Sequence, residues 1–363
     1  MIYQGNALEY IYDTPEILKR ILAERNQILN RALELLKGKN IADIYLTGSG
    51  SSYHSAVAAR KFMQKVLGIR VHAVYPVPFL EELDYLEKDA IIVSISQQGT
   101  SVASIQILEE AVKRGFATIA VTGEYETEIT KYSDATIYVE CGYEDAGATT
   151  KGYTATVLTF LLFAVELGRQ SGTLEPDAAA AYYNSLSAVF THMPKVISAA
   201  ERWYGLIQDE LSTCRNLVIL SYGTQKATML EGVLKFSETC RFPVRGYEAE
   251  EFMHGMYNAV DTSMSFLYLA EPGAYKKRIM KLYRYYEQQG CRQYGIGLEE
   301  NHYRNLTLDF TEETEFLMLE YILVIQILFV RLSRTRGIDL NLPKDPDFHK
   351  IMNSKLEEET RNV

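Results

Sequence analysis

The chain is short of cysteine and of positive charge, and both shortages narrow what it can be. Its 363 residues include four cysteines, Cys141, Cys214, Cys240 and Cys291, none at paired spacing. Scattered thiols fit a reducing, cytoplasmic compartment and argue against a structural zinc site; no metal and no cofactor are expected. Lysine and arginine number 37 against 47 acids, a formal charge of −10. A net acidic surface repels phosphate backbones, so nucleic acid is not expected as a general partner. A small phosphorylated ligand is still admissible, because a few amides or one lysine hold a phosphate locally. No apolar run reaches membrane-spanning length, and the longest, FLMLEYILVIQILFV, is interrupted by Glu320. The opening MIYQGNALEY lacks a basic region followed by an apolar one, so neither a signal peptide nor a membrane partner is expected.

What is present is apolar material for a full core, at 47% of residues, in a length that suits two domains. The 26 tyrosines read first as core and interface packing. Thr14 suits a helix cap and Pro15 the first helical position, opening a lead-in helix. IADIYLTGSGSSYHSAVAARKFMQKV then reads as strand, glycine-rich turn and helix, and AIIVSISQQGTSVASIQILEEAVKRG repeats that order. ATIAVTGEYETEITKYSDATIYVE supplies two more strands. RNLVILSYGTQKATMLEGVLKFSET, SMSFLYLAEPGAYKKRIMKLYRYYEQQG and CRQYGIGLEE keep the same rhythm in the second half. Strands alternating with helices predict parallel sheets covered on both faces. Gly50, Gly99, Gly115 and Gly123 lie 49, 16 and 8 residues apart, and Gly223, Gly273, Gly290 and Gly297 lie 50, 17 and 7 apart. The matched pattern predicts two tandem α/β domains. The expected division is a helical lead-in at 1–37, domains at 38–170 and 211–340, a helical linker at 171–210 and a tail at 341–363.

Two turns draw attention. TGSGSSYHS and SISQQGTS each follow a strand and open a helix, where glycine lets the backbone approach an anion and hydroxyls and free amides donate to it. Neither has the G-x-G-x-x-G spacing of a dinucleotide fingerprint, nor the Gly-Lys-Ser/Thr of a P-loop. Each alone reads as an ordinary Ser/Gly-rich turn. As a pair at adjacent strand ends they converge on the crevice where open α/β sheets bind ligands.

Together, TGSGSSYHSA, IIVSISQQGTS, GATTKGYTA and EGVLKFSET followed by EEFMHG resemble the sugar isomerase (SIS) superfamily. The likeness is to the double-SIS isomerase half of glutamine–fructose-6-phosphate amidotransferase and to deglycases of 6-phosphorylated fructosamines, and it covers nearly the whole chain. It implies two flavodoxin-like domains, a sugar phosphate ligand, and a homodimer or larger assembly with a shared site. It assigns Ser52, with Ser51 beside it, to the phosphate in the first turn. In the second turn it assigns Ser96, Gln97, Gln98 and Ser101, where Gln98 replaces a serine and Ser101 a threonine. Ala148, Thr149 and Thr150 would lie along the sugar.

The resemblance makes Glu238 the catalytic base and Lys235 its neighbour one helical turn before, able to stabilise developing negative charge. His254, with Glu251 before it and Gly255 after, would open the sugar ring; Met256 stands where the family has proline. Lys350 or His349 would enter the site from the tail. On spacing alone, EGVLKFSE reads as a solvated helix face with Glu–Lys pairs, and a lone histidine as a hydrogen-bonded structural residue. A carboxylate buried near a ligand gains the proton affinity that a base needs, which suits Glu238. The sequence has no room for the amidotransferase domain of the synthase. Deglycation, releasing an amine and glucose 6-phosphate, is therefore the expected activity. An aldose–ketose isomerase or amino-sugar phosphate deaminase, and a non-catalytic phosphosugar sensor, are the alternatives.

Overall fold

The computed structural model describes residues 4–299 and 302–356. Helix α1 (Ala7–Leu36) leads into a first domain. That domain runs β1 (Asp43–Thr47), α2 (Ser51–Leu67), β2 (Arg70–Val74), α3 (Pro76–Glu82), β3 (Ile91–Ile95), α4 (Val102–Lys113), β4 (Ala117–Thr122), β5 (Ala135–Tyr138) and α5 (Lys151–Ser171). Helix α6 (Pro176–Ser212) crosses to the second domain. There follow β6 (Leu217–Ser221), α7 (Lys226–Cys240), β7 (Val244–Glu248), α8 (Ala249–Phe252), β8 (Ser265–Leu269), α9 (Lys276–Gln288), β9 (Arg292–Ile296), β10 (Asn305–Leu306) and α10 (Leu317–Thr335). A single turn, α11 (Phe348–Ile351), lies in the tail.

Each domain is built on a five-stranded sheet, in the orders β2-β1-β3-β4-β5 and β10-β9-β8-β6-β7. Read from the β7 edge, the second is the same 2-1-3-4-5 arrangement as the first. Every strand pair is parallel. This is the flavodoxin-like topology, whose strand order reverses between β1 and β3 and again between β6 and β8. The central strands β3 (IIVSI) and β8 (SFLYL) are buried at all five positions, as sheets covered on both faces require. The repeated glycines mark equivalent corners. Gly50, Gly99, Gly115, Gly223, Gly273, Gly290 and Gly297 all take positive φ, where a Cβ is disfavoured.

The two domains share one core. The main apolar cluster runs from Leu46 and Val93 through Phe160 to Ile219 and Phe329. Helix α5 is buried without interruption from Lys151 to Gly168, and α2 packs against both α5 and α7. The long apolar run FLMLEYILVIQILFV forms most of α10 and is a core element. No helix among the described residues is long and apolar enough to cross a membrane.

The start of α1 differs from the sequence expectation. Asn6 caps it, its side chain accepting from the Leu8 amide, while Pro15 lies inside the helix. Thr14 donates its hydroxyl back to the Tyr10 carbonyl at 2.8 Å and caps nothing. Leu8, Ile11, Leu18 and Ile21 are all buried along this helix. At about 1.5–3 kcal/mol each, their burial exceeds the roughly 3 kcal/mol that an interior proline costs.

All four cysteines are unpaired and buried. Burial pushes the Cys141 thiol up to about 11 and the Cys240 thiol up to about 12. A disulfide-forming reagent at pH 8 should therefore leave both unmodified in the native protein and titrate all four after unfolding. Rapid native labelling of Cys141 or Cys240, read by mass spectrometry, would contradict this packing.

Candidate functional site

The first turn leaves β1 at Thr47 and enters α2 at Ser51 through Gly48 and Gly50. Gly50 has φ +55°, and a Cβ there would touch Leu234 Cδ2 of α7 at 3.4 Å. The turn of one domain is thus seated on a helix of the other. Ser51 donates its hydroxyl to Glu231 Oε1 at 2.7 Å. His54, one helical turn further on the same face, meets Glu231 Oε2 through Nδ1 at 2.7 Å. Among the described residues the half-buried Ser52 makes no hydrogen bond through its hydroxyl.

Helix α7 presents Glu231, Lys235 and Glu238 along one face. Gly232 allows the close approach this needs: a Cβ there would lie 3.1 Å from Ile219 of β6 and 3.5 Å from Ile325 of α10. The Lys235 ammonium donates to Glu238 Oε2 at 3.0 Å and stands 3.8 Å from Glu231 Oε1. Burial opposes that ammonium. The carboxylates of Glu238 and Glu231, with Glu144 further off, outweigh the penalty and raise its proton affinity above that of a free lysine. Lys235 is therefore a fixed cation and not a base.

The enclosure expected of Glu238 falls instead on Glu231. The Glu231 side chain is 1% exposed and that of Glu238 is 40% exposed. Glu231 lies under the first turn, whereas Glu238, two helical turns on, emerges at the rim. The Glu238 carboxylate is still linked to the serine turn through Lys235, Glu231 and Ser51.

The second turn follows β3. The Ser96 hydroxyl accepts from the Ser101 amide at 3.3 Å, closing the loop over Gly99, which has φ +67°. A Cβ at Gly99 would collide with Thr127. Gln97 turns inward: its amide nitrogen donates to Cys141 Sγ at 3.4 Å, and its oxygen accepts from Thr156 at 3.3 Å. These two contacts hold its half-buried side chain beneath the turn. Gln98 points outward, and its Oε1 accepts from Lys355 Nζ at 2.8 Å.

The tail contact thus runs through Lys355, whereas the sequence singled out Lys350 and His349. Lys350 is exposed on α11. His349 Nδ1 lies 2.8 Å from the Ser354 hydroxyl. Burial and the Lys355 charge lower its proton affinity, against the opposing pull of Glu238, so the tail and the rim of α7 are neighbours.

Ala148 is buried and Thr149 half-buried at the start of α5. The amides of Thr150, Lys151 and Gly152 and the Thr150 hydroxyl all donate to the Glu144 carboxylate, at 2.5–3.2 Å. Burial pushes the Glu144 carboxyl up, while those hydrogen bonds and the Lys151 charge hold it back. The corresponding first turn of the second domain is closed in the same manner. Thr224 donates its amide and hydroxyl to Glu271 Oε2 at 3.0 and 2.6 Å. Among the described residues the Ser52 hydroxyl at the first switch point makes no hydrogen bond, whereas Thr224 at the second is held by Glu271.

His254 is not brought to this cluster within the chain. Its side chain is exposed and makes no hydrogen bond among the described residues, and its amide donates to Glu251 at 3.0 Å. Gly255 follows with φ +123°, then a 3₁₀ turn from Met256 to Ala259 in which Met256 and Tyr257 are exposed.

Signals for the overlooked residues exist in part. His54 stands three after Ser51, the spacing that shares a helix face. Glu231 opens the run that carries Lys235 and Glu238. Nothing local marks Glu144 or Lys355.

Comparison with known proteins agrees with this geometry. The SIS domain family model matches residues 37–166. A crystal structure from Clostridium difficile 630, named as a phosphosugar isomerase, superposes with TM-score 0.91 at 27% identity, covering 98% of this chain and 100% of that one. One from Salmonella typhimurium LT2, named as a sugar binding protein, gives TM-score 0.83 at 31% identity, covering 90% and 99%. Glutamine–fructose-6-phosphate aminotransferase [isomerizing] 2 of Homo sapiens is 24% identical over 348 residues, which is 92% of this chain and 51% of that protein. The chain spans about half the length of the curated relatives it matches. On fold, motif and similarity together, the chain belongs to the SIS domain family.

Proposed function

We propose that the chain acts on a 6-phosphorylated ketose or ketosamine and transfers a proton between its C1 and C2. The observation that carries this is the pairing on α7: a half-exposed carboxylate, Glu238, held by a buried permanent cation, Lys235, on the helix that supports the serine turn. A carboxylate can take and return a proton on one face of an open-chain sugar. A fixed ammonium beside it stabilises the enolate-like charge that develops. Ser52, with the Ser96–Ser101 turn, holds the phosphate, and this fixes C1 and C2 opposite α7.

The reaction assigned is deglycation. Glu238 removes a proton from C1 of a fructosamine 6-phosphate, giving an enaminol, and protonation at C2 gives the aldose imine. Water then adds at C1 and releases the amine and glucose 6-phosphate. The balance needs only substrate and water. His254 opens the ring, donated by a second copy of the chain, which its exposure in a single copy supports. Purified protein should release glucose 6-phosphate from a panel of phosphorylated fructosamines. The second reading is aldose–ketose isomerisation, favoured by the relatives named as isomerases; interconversion of fructose and glucose 6-phosphates without any amine product would select it. Sugar phosphate binding with no turnover of either kind would leave a sensor.

Glu238→Gln should lower kcat by about 10²–10⁴-fold with little change in sugar phosphate binding. Lys235→Met should lower it by about 10²–10³-fold. Near-normal turnover in Glu238→Gln would remove the proposed base. Mixing inactive Glu238→Ala with inactive His254→Ala should restore part of the activity if the site is shared. Mass spectrometry would verify that subunits exchange, and lack of rescue after exchange counts against a donated histidine.

A further inference from the structure

Between β5 and α5 the chain leaves the sheet and returns along it through residues 139–150. Parallel strands all end on one edge, so this segment shares that edge with the two turns. Near its start, Cys141 Sγ accepts from the amide of Gln97, in the second turn, at 3.4 Å. At Asp145 it meets the lead-in. The Asp145 amide donates to the Tyr10 hydroxyl at 3.2 Å, and its carbonyl accepts from the Gly5 amide at 2.7 Å. At its end, the Thr150 carbonyl accepts from Gln326 of α10, in the second domain, at 2.8 Å. Glu144 closes the segment into a loop. It takes the Thr150 amide and hydroxyl at 2.7 and 2.5 Å, and the Lys151 and Gly152 amides at 3.2 and 3.1 Å.

Close approach and charge place this loop beside both halves of the proposed site. A Cβ at Gly152 would lie 2.9 Å from Glu144 Oε2 and 3.0 Å from Gln97 Nε2. The carboxylate therefore sits next to the second turn. On the other side is α7. Lys235, whose charge burial opposes, is stabilised by Glu238, by Glu231 and, from further off, by Glu144. Tyr153, raised first by burial, also feels the Glu231 charge. The loop thus lies between the second turn and the face of α7 that carries Lys235. A sugar with its phosphate at the turn and its C1 and C2 toward Glu238 passes its middle carbons along this loop. Thr150 has its amide, its hydroxyl proton and its carbonyl already engaged, so it serves the loop's shape.

We propose that Glu144 is a positioning residue for the carbon chain of the ligand: it holds residues 145–150 as the wall between the second turn and α7, and the Thr150 hydroxyl acts on the ligand only through it. The inference rests on the phosphosugar reading above and gives the site a part that responds to the sugar and not to its phosphate.

The test uses the full chain and calorimetry with two probes, inorganic phosphate and fructose 6-phosphate. A glutamine at 144 keeps the shape but replaces one acceptor oxygen by an NH₂ group, which meets the loop's donors donor to donor. Glu144→Gln should weaken fructose 6-phosphate binding about tenfold and leave inorganic phosphate at its wild-type affinity. Thr150→Val should act in the same sense, and Thr150→Ser, which keeps the hydroxyl, should restore wild-type binding. The double variant Glu144→Gln/Thr150→Val should be no worse than Glu144→Gln alone, because both act through one contact. The Thr150 pair decides the case by itself where Glu144→Gln does not fold. Wild-type sugar phosphate affinity in Glu144→Gln or in Thr150→Val, equal losses for the two probes, or additive losses in the double variant would overturn the proposal while leaving the phosphosugar reading intact. A wild type that does not bind fructose 6-phosphate would overturn both.

Discussion

The site depends on a single enclosed carboxylate. Glu231 belongs to the second domain, but two of its hydrogen-bonding partners, Ser51 and His54, belong to the first. A charge taken out of water costs several kcal/mol unless its oxygens are satisfied. The domains must therefore meet in the one register that brings the start of α2 over α7. The same carboxylate stands beside Lys235, and Lys235 in turn holds Glu238. The position of the candidate base relative to the candidate phosphate turn follows from this one relay, and the continuous apolar core around it resists any sliding of one domain on the other.

The two halves share a scaffold and differ in what they leave open. Both sheets have the same strand order, and the corner glycines fall at matching places. At the first switch point the hydroxyl of Ser52 makes no hydrogen bond among the described residues. At the second, Thr224 is already occupied by Glu271. The first turn rests on α7 of the other half, which brings the acids and lysine of that helix beneath it.

Much of this was legible in the sequence, because periodicity and turn chemistry are local. The alternation of strand and helix gave parallel sheets, and the glycine spacing gave two domains. The four- and three-residue intervals between Glu231, Lys235 and Glu238 put them on one helix face. What escaped depends on contacts distant in sequence. Whether Glu231 or Glu238 is enclosed is decided by where α2 lands on α7. That Gln97 meets Thr156 and Cys141 cannot be read from its place in the turn. Lys355 can be told from Lys350 only by the course of the tail across the second turn. At α1, a local cap signal at Thr14 and Pro15 was outweighed by apolar residues that begin a whole turn and more before it.

The acid at the start of α5 stands where an anion could otherwise bind. Glu144 already saturates the amides of Thr150, Lys151 and Gly152. The start of α5 thus gives these three N–H groups to the protein's own buried acid, and an outside anion would have to displace that acid to reach them.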